Sequence, residues 1–136
     1  MRFSNSAGHQ LELKILSWEF PNEEWLMIGI QGTDNEGSWE GKDPSLTFSE
    51  AEELSNWLVS PGNFEDSALE FLEPELEFRY KQGELRIYLE WKLRPPWKPS
   101  DKDDEAYYLA FDVQIDELKR QSNKLKYMLK KVREMR

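Results

Sequence analysis

The sequence predicts an α+β fold: an antiparallel sheet of about six or seven strands, curled into a barrel-like or sandwich-like shape, with two helices. Apolar and polar residues alternate through most of the chain up to residue 115, which is typical of half-buried strands. The period becomes helical over about 49–59 and again over about 116–134. A chain of 136 residues without an internal repeat or a break in composition is expected to form a single domain, 1–136.

The first strands are predicted near the N-terminus. HQLELKIL (9–16) places Leu11, Leu13 and Ile15 on one face, with Glu12 and Lys14 on the other. WLMIGIQG (25–32) is evenly apolar, which predicts a central strand covered on both faces, with a bulge or a close backbone approach at its two glycines. Because DNEG (34–37) is a turn signal, 25–33 and 38–42 are expected to form a hairpin.

The first helix is predicted over about 49–59, within TFSEAEELSNWLV. Ser49 is a favourable N-cap residue, and Glu52, three residues later, is expected to complete a capping box. Apolar residues, Trp57 among them, then recur at helical spacing on the side that faces the core. SPGN (60–63) is expected to end the helix.

A second hairpin is predicted around the turn KQGE (81–84). Apolar and polar residues alternate through LEFRY (76–80) before the turn and through LRIYLEWKL (85–93) after it. The same alternation places Trp91 on the core face of the second strand. Pro74 is expected to mark an edge strand or the beginning of a strand.

Three glutamates lie at the start of this hairpin, in FLEPELEFRY (71–80). Because they alternate with core residues, Glu73, Glu75 and Glu77 are expected to share an exposed face, where cross-strand charge pairs contribute roughly 0.2–1 kcal/mol each. They could act as the acid and base of a glycosidase-like site only if one were buried and its pKa raised. The alternation favours a solvated or partner-binding face instead.

The C-terminal part of the chain is predicted to contain a loop, a strand and a long helix. RPPWKPSDKDDE (94–105) is polar and proline-rich, which is typical of a loop, and the residues from Tyr107 to Ile115 alternate again. Asp116 is expected to cap the helix over about 116–134, whose apolar stripe favours packing on the sheet.

Charge is distributed unevenly along the chain. Residues 117–136 contain eight Lys or Arg and two Glu, a net charge of +6, which leaves −15 for the rest of a chain with a total of −9. An acidic body repels nucleic-acid phosphates and attracts a basic protein. The expected partner is therefore a basic protein, with no direct contact to nucleic acid or membrane.

The chain lacks the residues that most catalytic and metal sites need. The chain has no cysteine and one histidine, His9, which excludes thiol nucleophiles and the usual zinc sites. No Walker or dinucleotide glycine motif occurs, and DKDDE (101–105) lacks the central glycine and distal glutamate of a calcium loop. We expect no enzyme, no cofactor and no metal. Short apolar runs and an N-terminus without a signal-peptide core predict a cytoplasmic protein.

The candidate partner-binding residues are acidic, with one tryptophan as an anchor. Trp97 is chosen because no periodic pattern buries it and because tryptophan is enriched in interface hot spots. The set is Glu73, Glu75, Glu77, Trp97, Asp101, Asp103, Asp104 and Glu105. Two other functions stay open: a small-ligand-binding module with an aromatic-lined pocket in the curved sheet, and a carboxylate-dependent hydrolase.

The order of segments resembles that of a bacterial family. The clearest part is the layout from Trp25-Leu26, through SWEGKDPSLTFSEAEELSNWL, to Trp57-Leu58, and the likeness covers most of residues 3–113. In this layout the chain is similar to the WapI-like immunity proteins, which are small, acidic and free of cysteine. The resemblance implies a non-enzymatic protein that binds the C-terminal toxin domain of a contact-delivered surface protein. In the name-giving system that toxin is a nuclease acting on tRNA, so a basic, nuclease-type toxin domain is the implied partner.

Overall fold

The computed structural model describes residues 1–19, 24–60, 66–98 and 106–135, which form eight strands and two helices. The strands are β1 (Arg2–Ser4), β2 (Gln10–Trp18), β3 (Trp25–Thr33), β4 (Ser38–Thr47), β5 (Ser67–Glu70), β6 (Leu76–Lys81), β7 (Glu84–Leu89) and β8 (Tyr108–Asp112). The helices are α1 (Phe48–Val59) and α2 (Ile115–Arg133), and a 3₁₀ turn spans Trp91–Leu93.

The strands form two antiparallel sheets, each in sequence order: β1-β2-β3-β4 and β5-β6-β7-β8. The α+β class is confirmed. The expectation of one curled sheet of six or seven strands is wrong, because the described residues form two four-stranded sheets and no closed barrel. Strands β1 and β5 were not predicted, since segments of three and four residues are too short to reveal an alternation.

Both predicted hairpins are confirmed. Thr33 pairs with Ser38 across the first turn, and Lys81 pairs with Glu84 across the second. In the second turn Gln82 has φ 51° and the following glycine φ 83°, the two left-handed residues that a tight hairpin turn requires.

Each helix begins slightly before its predicted position. At α1 the N-cap is Thr47 instead of Ser49: its Oγ1 accepts a hydrogen bond from Glu50 N, and Glu50 Oε1 accepts one from Thr47 N. The sequence fits a capping box at either position, and the end of β4 at Thr47 decides between them. Helix α2 has Gln114, not Asp116, at its N-cap, without a side-chain capping hydrogen bond.

Buried side chains from both sheets and both helices form one core. Helices α1 and α2 pack against each other, and Ser122 Oγ donates a hydrogen bond to Ser55 O between them (2.6 Å). Within the described residues, neither helix has the length and apolar character needed to cross a membrane.

Of the two alternatives predicted for the glycines of β3, the structure shows close packing at both. The register shifts lie elsewhere, between Ile15 and Ser17 of β2 and between Leu26 and Ile28 of β3. A Cβ atom on Gly32 would lie 2.3 Å from the ring of Trp39, so only glycine leaves room for this indole.

Strand β7 is shorter than predicted, and this corrects the position of Trp91. The strand ends at Leu89 and the chain leaves the sheet through the 3₁₀ turn, where Trp91 has φ 51° and is 58% exposed. The alternation placed it in the core because a period of two applies only while the strand continues. Trp57, also predicted to face the core, is half-buried and packs on it.

Candidate functional site

The structure separates the three glutamates that were expected to share an exposed face. Glu77 lies on the outward, polar side of β6, where it is partly buried and forms an ion pair with Arg79. Glu75 is only 3% exposed, so the expectation is wrong for this residue. It lies in the turn before β6, where alternation does not yet apply, and its carbonyl accepts a hydrogen bond from Glu90 N (2.8 Å).

The buried Glu75 carboxyl belongs to a cluster that joins the two sheets, which we call the carboxyl cluster (Asp43, Glu73, Glu75 and Lys92). Glu75 shares a side-chain hydrogen bond with Asp43 of β4, and Glu73 adds a nearby negative charge. Lys92 reaches the cluster from the 3₁₀ turn, with its Nζ 3.4 Å from Asp43 Oδ1.

Burial raises the pKa of Glu75 from 4.5 to about 8. The hydrogen bond and the repulsion from Asp43 act in the same direction, as does the charge of Glu73, while Lys92 opposes them. Among the described residues, Glu75 Oε2 has no hydrogen-bond partner. A buried carboxyl that lacks a partner for one oxygen is destabilising, and it is unusual enough to mark a candidate site.

The 3₁₀ turn is fixed against β4 next to this cluster. A Cβ on Gly41 would lie 2.5 Å from the Lys92 carbonyl oxygen, so the absence of a side chain there lets the turn approach. Trp39 Nε1 donates to Leu93 O (3.1 Å) from the buried side. The left-handed backbone of Trp91 is costly for a bulky residue, and these contacts hold it in place.

Trp91 and a second exposed apolar residue, Leu72, lie on segments that contact carboxylates. Leu72 is 78% exposed, and its backbone N–H donates to Glu50 Oε2 (2.8 Å). Trp91 lies between Glu90, whose backbone N–H donates to Glu75 O, and Lys92, which pairs with Asp43. We call this surface the acidic rim (Asp43, Glu50, Leu72, Glu73 and Trp91).

Trp97 is not the free surface anchor that was predicted. It is half-buried, packs edge-on against Trp39 with ring centroids 5.8 Å apart, and donates a hydrogen bond from Nε1 to Asp34 Oδ2 (3.0 Å). Tyr107 OH donates to the same oxygen (2.8 Å). Any contact of Trp97 with a partner stays a prediction.

Asp34 therefore accepts hydrogen bonds from Trp97 and Tyr107, which lie before and after the acidic segment (99–105) in the chain. Residues 99–105, with the predicted Asp101, Asp103, Asp104 and Glu105, lie outside the described residues, and their partner contacts stay predictions. Although burial opposes ionisation of Asp34, hydrogen bonds from the loop N–H groups, Tyr107 and Trp97 lower its pKa.

The outward face of the β5–β8 sheet carries paired arginines and tyrosines. The guanidinium of Arg79 lies 4.6 Å from the ring centroid of Tyr88, and that of Arg86 lies 4.8 Å from Tyr108. The two tyrosine rings are 4.9 Å apart. Each arginine also forms an ion pair within the chain, Arg79 with Glu77 and Arg86 with Glu84.

Among the described residues the concave surfaces are open and lined mainly by polar and charged side chains, and the small-ligand alternative stays a prediction. An open trough of about 480 Å³ lies on the outward face of the first sheet, lined by charged and polar side chains with Leu16 and Ile30. Trp39 packs against Trp97 and Tyr107, with ring centroids 5.8 and 5.9 Å apart. In the part of the chain that is described, no three His, Cys, Asp or Glu side chains gather into a possible metal site.

Sequence reasoning missed Asp43 and misplaced Trp91, the two residues that complete the site around Glu75. Asp43 lies in an ordinary strand pattern, and its contact with Glu75 joins positions far apart in the chain. No local signal in one sequence reveals such a pair.

Comparison with known proteins identifies the family. No curated protein and no solved structure matches the chain. A family model matches residues 2–133, nearly the whole chain, as the sequence layout predicted. The chain belongs to the immunity protein WapI-like family, which supports an immunity function in general and implies a toxin as partner.

Proposed function

We propose that this protein neutralises a basic, nuclease-type toxin domain by binding it at the acidic rim, without chemical conversion of the toxin. Family membership supports immunity in general and suggests a non-enzymatic role. The basic character of the partner and the surface that meets it are inferred from the charges and exposed side chains described above.

Electrostatics supports a basic partner. Apart from residues 117–136, the chain carries a net charge of −15. A field of this sign attracts a positively charged surface and can accelerate association by 10-fold to about 10³-fold at low salt. Nuclease domains bind polyanions and tend to be basic, so a nuclease-type toxin fits this charge.

The observation that carries the choice of surface is Trp91. It is exposed and held in a left-handed conformation by a docked turn, and the next residue, Lys92, pairs with Asp43 of the acidic rim. A rigid tryptophan loses little conformational entropy on binding, and its ring face can receive a lysine or arginine of a basic partner. The rim therefore combines an apolar anchor with the complementary charge.

Neutralisation by binding requires only that substrate be excluded. Carboxylates placed over the toxin's phosphate-binding surface occupy the position of the nucleic-acid backbone. Glu73 belongs to the rim. The acidic segment with Asp101, Asp103, Asp104 and Glu105 is proposed to contribute to the long-range attraction.

The test requires a cognate toxin domain, to be sought in the neighbouring gene and expressed as an inactive variant. Trp91→Ala is expected to weaken binding about 30-fold, the effect of a hot spot of about 2 kcal/mol. The matched control is Tyr127→Ala, because Tyr127 is equally exposed (61%) but lies on the basic helix α2. Equal affinities of the two variants in calorimetry would contradict the choice of surface.

A second candidate, a carboxylate-dependent hydrolase, is favoured by the hydrogen-bonded Asp43–Glu75 pair, since a carboxyl with a raised pKa can act as a general acid. Neither Asp43 nor Glu75 lines the trough on the first sheet, the groove between the helices or the hollow beside Asp34. Stoichiometry separates the two functions: a binding protein protects cells or RNA only at one copy or more per toxin, whereas an enzyme also protects at lower ratios.

A further inference from the structure

We propose that the Asp43–Glu75 pair receives one arginine side chain of the partner, in the place that Lys92 now occupies. This inference rests on the proposed function and adds to it the chemical group that the acidic rim recognises.

The first support is an unsatisfied buried group. Glu75 is only 3% exposed, and its Oε2 has no hydrogen-bond partner within the described ranges. Asp43 faces it with a side chain only 15% exposed. Two carboxyl groups in such surroundings require a positive charge or a shared proton.

The second support is that a cation already reaches Asp43 of the pair from outside. Lys92 is 76% exposed on its side chain, yet its Nζ lies 3.4 Å from Asp43 Oδ1. The approach from solvent is thus open to a long cationic side chain. A single long contact from an exposed lysine is weak, so Lys92 can be displaced.

Arginine fits the pair better than lysine does. The guanidinium group has five N–H donors in a planar arrangement that matches carboxylate geometry, whereas an ammonium acts as a compact charge. One guanidinium could donate both to Asp43 and to the unpartnered Oε2 of Glu75. Lys92 forms its ion pair with Asp43.

Occupation of this place is expected to be coupled to a proton. The groups that face Glu75 are Asp43 from β4, Glu73 from the preceding segment and Lys92 from the 3₁₀ turn. Because the pKa of Glu75 is about 8, this carboxyl is mostly protonated at pH 7, and a guanidinium beside it favours the ionised form. Binding therefore releases a proton and becomes tighter as the pH rises.

The experiment uses ethylguanidinium chloride as the probe, at ionic strength matched with potassium chloride. The ¹³C carboxyl resonances of Glu75 and Asp43 are followed in the intact protein. We expect saturable shifts whose apparent Kd is about tenfold lower at pH 9 than at pH 7, the ratio of ionised Glu75 at the two values. n-Butylammonium is expected to bind more weakly.

Two variants control for the net charge. Lys92→Ala removes the resident cation and is expected to tighten probe binding severalfold. Lys42→Ala makes the same change of charge on the exposed side of β4, beside the trough, and is expected to leave probe binding unchanged. Glu75→Gln, which keeps the size of the side chain, is expected to abolish the pH dependence.

Shifts that do not saturate, or Asp43 shifts with the same pH dependence in Glu75→Gln, would overturn the inference. So would equal effects of the two lysine variants. The probe experiment needs no toxin, so its failure leaves the proposed function to be judged by Trp91→Ala. Conversely, unchanged toxin binding in Trp91→Ala together with saturable probe binding would reject the rim as the toxin surface only.

Discussion

Two carboxyl groups, Asp34 and Glu75, each join distant parts of this chain, and their environments are opposite. Asp34 accepts hydrogen bonds from two backbone N–H groups, Trp97 and Tyr107, which lower its pKa. Glu75 is more deeply buried, faces Asp43, and has a pKa raised to about 8. The first carboxylate is satisfied within the chain and stabilises it. The second is not, which is why we assign it to binding.

The largest expected effect on stability comes from removing Asp34, the carboxylate that is satisfied within the chain. Asp34→Ala removes the acceptor of four hydrogen bonds and is expected to lower the free energy of unfolding by about 3 kcal/mol, measured by urea denaturation at pH 7. Glu36→Ala is the control: its side chain is exposed, and its backbone N–H still donates to Asp34. Similar losses in the two variants would show that Asp34 has no special structural role.

The pH dependence of Asp34 follows from its lowered pKa. Its contribution to stability is present above the ordinary pKa of an aspartate and is lost as the pH falls through the lower value in the folded protein. Asp34→Ala and the wild type should therefore converge in stability only in strong acid, below about pH 4. A difference that stayed constant down to acid-unfolding conditions would contradict this assignment.

The next effect has the opposite sign. Glu75→Gln removes a buried acidic group and supplies an amide that can donate to Asp43, so it is expected to raise the free energy of unfolding by about 2 kcal/mol at pH 8 and above. Thermal unfolding at several pH values measures this.

The sign follows from the raised pKa of Glu75. Below about pH 4.5 this residue is protonated in both the folded and the unfolded state and gives no penalty. Between pH 4.5 and about 8 the unfolded state loses its proton first, so the wild type loses stability relative to Glu75→Gln. Glu73→Gln, a change of equal charge on a partly exposed neighbour, should give a smaller and flatter difference. Identical pH profiles for the two variants would disprove the special position of Glu75.

The smallest expected effect on stability concerns the exposed tryptophan beside Glu75. Trp91→Gly relieves a left-handed backbone conformation in a bulky residue and removes an exposed side chain, so stability should rise by up to about 1 kcal/mol. Trp91→Ala keeps the strain and serves as the comparison. Loss of more than about 1 kcal/mol in Trp91→Gly would mean that Trp91 is a packing residue instead of a binding residue.

Local patterns in the sequence correctly predicted the α+β class, both hairpins and the approximate limits of both helices. Alternation fails at Glu75 and Trp91 for one reason: each lies just outside a strand, where the chain turns and the period of two no longer applies. The choice of Thr47 over Ser49 as N-cap likewise depends on where β4 ends.

The sequence by itself determined the two helices, the two hairpins, the family layout and the uneven charge, because these depend on neighbouring residues and on composition. Only the tertiary structure decided that Asp43 meets Glu75, that Trp97 and Tyr107 share Asp34, and that Trp91 faces solvent. These contacts join segments distant in the chain. They depend on how the two sheets and the 3₁₀ turn pack, which no local period specifies.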